Sequence, residues 1–436
     1  MVTRLPTVFA ALLLAAPLVA ADPPTFHMNV APILFQNCVT CHRAGEIGPF
    51  PLLTYTDVKK RAKQLAGVTG DKTMPPWKPD AGHGEFLDER TLSKDQIATL
   101  KAWADAGAPE GDPKDSPKPP EFKTGWKLGK PDIFLKMPEA FKIPADDKDV
   151  YWAFVFPMNL TKDIHVRGVE CRPSNPKVAH HAVGLLDTSG TARKLDAKHP
   201  GPGYPGLNPG FPPAGFTPGY VPGQTPRLMK EGSAITIKKG TDFVLQMHYH
   251  PTGKEELDQT EIGLFLTDKP PTDAMVIVAM ASQQIDIPAG KAGYKASDAF
   301  TLPVDMEVDG IWNHQHTVGK TAKVWAELPG KKGEVRLLSI SDWDFNWQDT
   351  YLYKKPIKLP KGTVVKAEWT WDNSADNPRN PFSPPQRIRL GEGSNDEMSG
   401  LILTGRANNG LEAISHWSAV IGHYVEVEVK GWAYKH

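Results

Sequence analysis

Phe243-Val244-Leu245-Gln246-Met247-His248-Tyr249 decides the fold class. Its bulkiest apolar side chains fall at 243, 245, 247 and 249, the period of two that places them on one face of a strand. The same alternation runs through Ile235-Thr236-Ile237, Val364 to Trp371 and Tyr424 to Val429. Gly and Pro turns separate these runs, and no long amphipathic helix is evident beyond residue 128. With 38 glycines and 42 prolines in 436 residues, the chain is punctuated like one of many short strands. This pattern predicts two all-β antiparallel, jelly-roll-like sandwiches, 128–290 and 291–436. The Gly/Pro-rich segment from His199 to Pro226 reads as a long ordered loop within the first.

Toward the N-terminus the pattern turns helical. Tyr55 to Ala66 carries mixed charges without alternation. Ser93 with Gln96 forms a capping-box signature, followed by Ile97, Leu100, Trp103 and Ala104 at helical spacing, with Gly107 as a stop. These features predict a small all-α domain over 22–111, joined by a Pro- and Lys-rich linker, 112–127. Residues 1–21 read as a signal peptide: Arg4, an apolar run from Val8 to Ala16, then Val19-Ala20-Ala21 for cleavage. An uncleaved anchor is the alternative. No later segment approaches about 20 apolar residues, so the expectation is a periplasmic or secreted protein without stable membrane insertion. Lys+Arg and Asp+Glu are each 50, a zero net charge that argues against a nucleic-acid binder.

Cys38-Val-Thr-Cys41-His42 is the pattern of covalent c-type haem attachment. Two thiols add to the haem vinyl groups and the adjacent imidazole ligates the iron. A thioredoxin-like pair would belong to a βαβ context, and a zinc site would need further Cys or His nearby. The opposite iron ligand falls to Met74, in Met74-Pro75-Pro76-Trp77, or to Met28, His27 or His83. The stretch resembles small bacterial cytochrome c domains, which implies Met74.

Three histidine clusters occupy the β region: His180-His181, His248 with His250, and His314 with His316. Residues two apart on a strand face the same way, so His-x-His can present two imidazoles to one metal. Adjacent His180 and His181 can do so only at a bulge or strand end. A lone strand histidine is usually structural; three clusters argue for ligands. Imidazoles alone suit zinc, copper, iron or nickel.

In order along the chain come the His pair, Leu245-Gln-Met-His248, His314-Gln-His316-Thr-Val-Gly319 and Asp396-Glu397-Met398. The series resembles the copper type II, ascorbate-dependent monooxygenases, the peptidylglycine α-hydroxylating and dopamine β-monooxygenase family, over about residues 130 to 436. The resemblance implies two copper ions: an electron-storing site at His180, His181 and His248, and an oxygen-binding, catalytic site at His314, His316 and Met398. A thioether favours Cu(I), the state that meets O₂. His250 is expected behind the ligands rather than among them. Trp312 stands where peptide-hydroxylating members carry an Arg, and Gly400 and Ile402 fill two other substrate-contact positions, so a peptide C-terminus is a poor fit. Cys171 is expected to be a buried free thiol. Alternation in Asp342-Trp343-Asp344-Phe345-Asn346-Trp347 would put its three aromatic rings on one face, as core packing, with an electron conduit or substrate platform as the alternative.

The function implied is hydroxylation of an aliphatic C–H bond in a small organic substrate with O₂. Electrons would come from the haem at Cys38, Cys41, His42 and Met74, from ascorbate, or from a periplasmic donor. Fusion of haem and copper regions raises their effective concentration through the linker. The competing reading is a haem/copper electron-transfer or copper-binding protein without oxygenase activity.

Overall fold

In a computed structural model the described residues are 22–435, apart from 123–124, 147, 207 and 332. The expected signal segment, 1–21, lies outside them. The chain is mostly antiparallel β-sheet, with helices at both ends.

Helices Ala31–Asn37, Tyr55–Lys59, Ala62–Gly70 and Lys94–Asp105 enclose an apolar cluster that includes Phe26, Leu34, Leu65, Leu100 and Trp103. Ser93 Oγ accepts from the Gln96 amide (3.1 Å) and the Gln96 side chain accepts from the Ser93 amide (2.9 Å), closing the capping box. The segment expected as a linker is tied down. Phe122 packs on the helical cluster, the Arg43 guanidinium lies 3.8 Å from its ring centroid, and the Lys127 and Leu128 amides donate to the Glu170 carboxylate, both at 2.9 Å.

The first set of strands forms a five-stranded sheet in the order Tyr204–Pro205, Val150–Phe156, Asp242–Tyr249, Ala179–Asp187, Gly215–Tyr220. It faces a four-stranded sheet ordered Ile133–Lys136, Glu261–Leu266, Ile164–Arg172, Ile235–Ile237. Phe243, Leu245, Met247 and Tyr249 enter the shared core, as their spacing predicts. The other face of that strand is covered too, because Val244 joins a smaller cluster with Ala192, Tyr204 and Phe211. The Gly/Pro-rich stretch 199–226 is therefore not only loop. It supplies both edge strands of this sheet and the Phe211 that covers its outer face.

The second set pairs a sheet ordered Ala274–Met280, Ser399–Ala407, Met306–Gln315, Thr350–Leu359 with one ordered Ala292–Thr301, Val364–Asp372, Gly319–Glu327, Glu334–Ile340. Strict alternation holds on Val364–Asp372, where Val365, Ala367, Trp369 and Trp371 are buried. Strand Ala274–Met280 falls inside the 128–290 span but pairs with Ser399–Ala407, so this set begins before the expected boundary. Segment 78–87 of the N-terminal region caps two edge strands of this set. Asp80 N donates to Ser339 O (2.7 Å), Leu87 N to Leu352 O (2.7 Å), and Lys354 N to Glu85 O (2.8 Å). Phe86 enters the second core.

Further expectations fail. Tyr424 to Val429 is no strand: it belongs to a 26-residue helix, Gly410–Lys435, the long helix judged absent beyond residue 128. Val420 packs into the second core, and His416 Nε2 donates to the Ile277 carbonyl (2.8 Å). Among the described residues no helix is long and apolar enough to cross a membrane. Residues 342–347 form a loop turned by Trp347 N donating to Asp344 O (3.0 Å), so their three rings share no strand face. Trp343 is buried and Phe345 half-buried.

Candidate metal centre

Two neighbouring strands carry the first histidine cluster and a third flanks it. His248 lies opposite His181 on one side and Tyr151 on the other. The register slips between Ala179 and His181, a bulge that lets His180 turn to the same side as its neighbour. His248 Nδ1 lies 3.2 Å from His180 Nδ1 and 3.1 Å from His181 Nε2. Two nitrogens each about 2.0 Å from one ion, at an angle near 100°, sit roughly 3 Å apart, which matches both separations from His248. All three ligand atoms lie within 4.8 Å of one another, so the trio could hold a single metal. Burial pushes His180 down to about 3 and His181 well below the usual histidine range. Burial thus favours the neutral form of both rings, in which one nitrogen of each can offer a lone pair.

Behind the trio stands Asp149, with a side chain 11% exposed. Its Oδ2 is 3.4 Å from His248 Nε2, an ion-pair distance without hydrogen-bond geometry, and its Oδ1 accepts from His250 Nδ1 at 2.8 Å. Ser394 Oγ–H also donates to this carboxylate. Burial opposes its charge, yet the His248, His250 and Ser394 side chains hold the carboxyl far below its ordinary range. His250 thus faces Asp149 rather than the three converging nitrogens. Tyr151 lies flat on His248, ring centroids 4.2 Å apart at 18°.

His314 and His316, at the end of strand Met306–Gln315, present rings 4.9 Å apart at 81°. His314 Nδ1 donates to Gln348 Oε1 (2.5 Å) and His316 Nδ1 to Asp396 O (3.2 Å), which leaves Nε2 of each ring as the nitrogen for a ligand. Imidazoles that bind metals usually make this kind of bond on the far nitrogen. Burial lowers the two to about 3 and about 4. Met398 immediately precedes strand Ser399–Ala407, whose register pairs Ser399 with Gln315 and Gly400 with His314. Continued one residue beyond the strand, that register would set Met398, which is half-buried, opposite His316. Gly400 leaves open the space a Cβ would fill 3.5 Å from His314 and the Trp312 ring. Trp312 stacks on His314 (5.3 Å, 9°).

Glu397, fully buried, joins these segments. It accepts from the amides of His316 (2.9 Å), Val318 (2.7 Å) and Met398 (3.2 Å) and from Trp371 Nε1 (2.8 Å). Burial outweighs these donors and raises its carboxyl to about 7. Gly319 closes the turn after His316, where a Cβ would meet Trp343 Cδ1 at 2.6 Å.

One side chain spans the two clusters. The Phe345 ring stacks on His180 (5.0 Å, 28°) and meets His316 edge-on (5.7 Å, 75°). Its loop is held from the N-terminal region by Arg90 on Asp349 (2.6 Å) and Lys78 on Asp344 (3.5 Å). Asp149, Phe345 and Gln348 were not identified as site residues from sequence. Asp149 is far from the histidines along the chain, and Phe345 and Gln348 lie in or beside a stretch that reads as core packing.

At the N-terminal motif, Cys38 and Cys41 are half-buried free thiols. Burial pushes Cys38 up to about 12 and raises Cys41, which makes both poor thiolates for disulfide exchange. His42 Nδ1 donates to Phe50 O (3.1 Å), leaving Nε2 for a ligand. Met74 is half-buried after helix Ala62–Gly70, its amide donating to Val68 O (3.0 Å). Among the described residues no hydrogen bond or ring contact links it to His42. Cys41 Sγ and Arg90 Nη1 both border Gly223, within 3.5 Å of where its Cβ would stand. Cys171 is buried and free, with its thiol raised by burial.

No known protein family matches the chain, and no curated protein is similar to it. Among solved structures, PNGF-II shares 12% identity over 63% of this chain and 60% of its own, with a TM-score of 0.24. The VP2 subviral particle of infectious bursal disease virus shares 8% over 65% of this chain and 74% of its own, TM-score 0.19. The exported PBSX protein XepA shares 6% over 55% and 86%, TM-score 0.17. The chain thus spans less than two thirds of the PNGF-II structure, and none of these scores carries an argument about function.

Proposed function

We propose that the chain is an exported copper-dependent monooxygenase that hydroxylates an aliphatic C–H bond of a small organic substrate. Its β region would be two jelly-roll-like copper sandwiches and its helical region a c-type cytochrome domain. The observation that carries the reading is the convergence of the His180, His181 and His248 nitrogens, with the His314/His316 pair one phenyl ring away.

Copper bound at these two places would supply single electrons and O₂ activation for a reaction that consumes two electrons and two protons and releases water. His180, His181 and His248 offer three neutral nitrogens, a set that tolerates cycling to Cu(II). His314 and His316 offer two nitrogens through Nε2, and Met398 the soft thioether that favours Cu(I). Gln348 and the Asp396 carbonyl keep protons on the far nitrogens and so fix both ring orientations. Phe345, in contact with both clusters, would limit water between them. Trp312 and Gly400 border His314, where they would shape the space for substrate. Cys38 and Cys41 would bond haem covalently, with His42 and Met74 on the iron, and electrons would enter from that side or from ascorbate.

Purified full-length protein should contain two coppers and one haem, and should couple oxygen uptake with ascorbate to formation of a hydroxylated product from a panel of small organic compounds. Met398→Ala should suppress product formation while the His180/His181/His248 copper remains. Full metal content without coupled product would establish the electron-transfer reading instead.

A further inference from the structure

Asp149 directly precedes strand Val150–Phe156, on which Tyr151 lies opposite His248. The two nitrogens of the His248 ring face opposite ways: Nδ1 toward His180 and His181, Nε2 toward Asp149 Oδ2 at 3.4 Å. The contact lacks hydrogen-bond geometry, but the negative charge beside Nε2 favours a proton on that nitrogen over Nδ1, which leaves the Nδ1 lone pair for the trio. Tyr151, flat on the ring, restricts its rotation. The same carboxylate accepts from Ser394 in the turn that gives Asp396 O to His316 and leads to Met398. Thr317 Oγ1 donates to the carbonyl of that Ser394 as well (2.6 Å), so the turn is anchored on both sides.

We propose that Asp149 is a positioning residue for both clusters: it fixes the tautomer of His248 behind the first trio and, through Ser394, holds the turn that leads to Met398. The inference rests on the reading of His180, His181 and His248 as a metal centre. Carboxylates behind a ligating imidazole raise its basicity, and removing such a partner typically costs 10–100-fold in metal affinity. Asp149→Asn keeps the volume but removes the charge that both histidines and Ser394 share.

The test is Cu(II) titration of the metal-free full-length chain, followed by EPR on the signal that His181→Ala abolishes. Asp149→Asn should weaken that copper by about 10–100-fold and change its hyperfine pattern, and Asp149→Glu should recover most of the loss. Affinity within threefold of the parent and an unchanged spectrum in Asp149→Asn would overturn the proposal. Should Asp149→Asn fail to fold, the parent protein loaded with Zn(II) gives the answer. Long-range proton–nitrogen NMR should show His248 bound through Nδ1 with a slowly exchanging Nε2 proton; binding through Nε2 would overturn the proposal. A parent chain that takes up neither Cu(II) nor Zn(II) at the trio would instead sink the metal-centre reading itself.

Discussion

The ring of Phe345 rests on His180 at 5.0 Å and 28° while its edge meets His316 at 5.7 Å, so one side chain touches both histidine clusters. The loop that carries it also supplies Gln348, whose amide donates to the Phe345 carbonyl (2.9 Å) and accepts from His314.

Truncating this ring should open the space between the clusters. Phe345→Ala, half-buried, should lose about 1–2 kcal/mol of stability by urea unfolding. In copper-loaded protein it should bind azide several-fold more tightly, read from the charge-transfer band. Azide binding equal to the parent's would show that the ring shields nothing.

Gln348→Leu removes the acceptor for His314 Nδ1 and keeps a similar volume. Copper at the His314/His316/Met398 position should weaken about 10–100-fold, with copper at His180/His181/His248 unaffected. Competitive chelator titration distinguishes the two populations, and equal weakening at both would contradict the assignment.

Asp342 ties the same loop to Arg379 (2.8 Å) and Lys320 (3.1 Å), and these cations hold its carboxyl down at about 2. Because the folded state binds the proton less tightly than the unfolded chain, stability from this group is present above about pH 4. It is lost as pH falls toward 2. The stability gap between the parent and Asp342→Asn, measured by urea unfolding, should therefore close over that interval; a gap constant from pH 2 to 6 would exclude the ion pairs as its source.

Cys38→Ser with Cys41→Ser should abolish covalent haem, seen as loss of the haem mass by mass spectrometry, while leaving copper stoichiometry intact. Loss of copper in that variant would mean that the helical region and the metal centres fold as one unit.

The strands at 243–249 and 364–371 were legible because one face packs on a core and the period is uninterrupted. Tyr424 to Val429 misled for a physical reason: Val425, Val427 and Val429 alternate with Glu426 and Glu428, and β-branched residues favour strands. The segment is helical all the same, and its helix is anchored by Val420 in the second core, His416 on the Ile277 carbonyl and His423 on Asp298. The histidines were legible because clustered imidazoles are rare in a β region. The need for a bulge at His180 followed from strand geometry alone. Asp149 was not legible, since nothing near it in sequence marks a carboxylate that will meet His248 through strand pairing.

The capping of strands Glu334–Ile340 and Thr350–Leu359 by segment 78–87 bears on how the protein can be divided. Cutting the chain after residue 111 would uncover two rows of unpaired peptide groups and leave the slot of Phe86 vacant, an invitation to edge-to-edge aggregation. A soluble β fragment would have to retain residues 78–90, or carry charged substitutions along those rims.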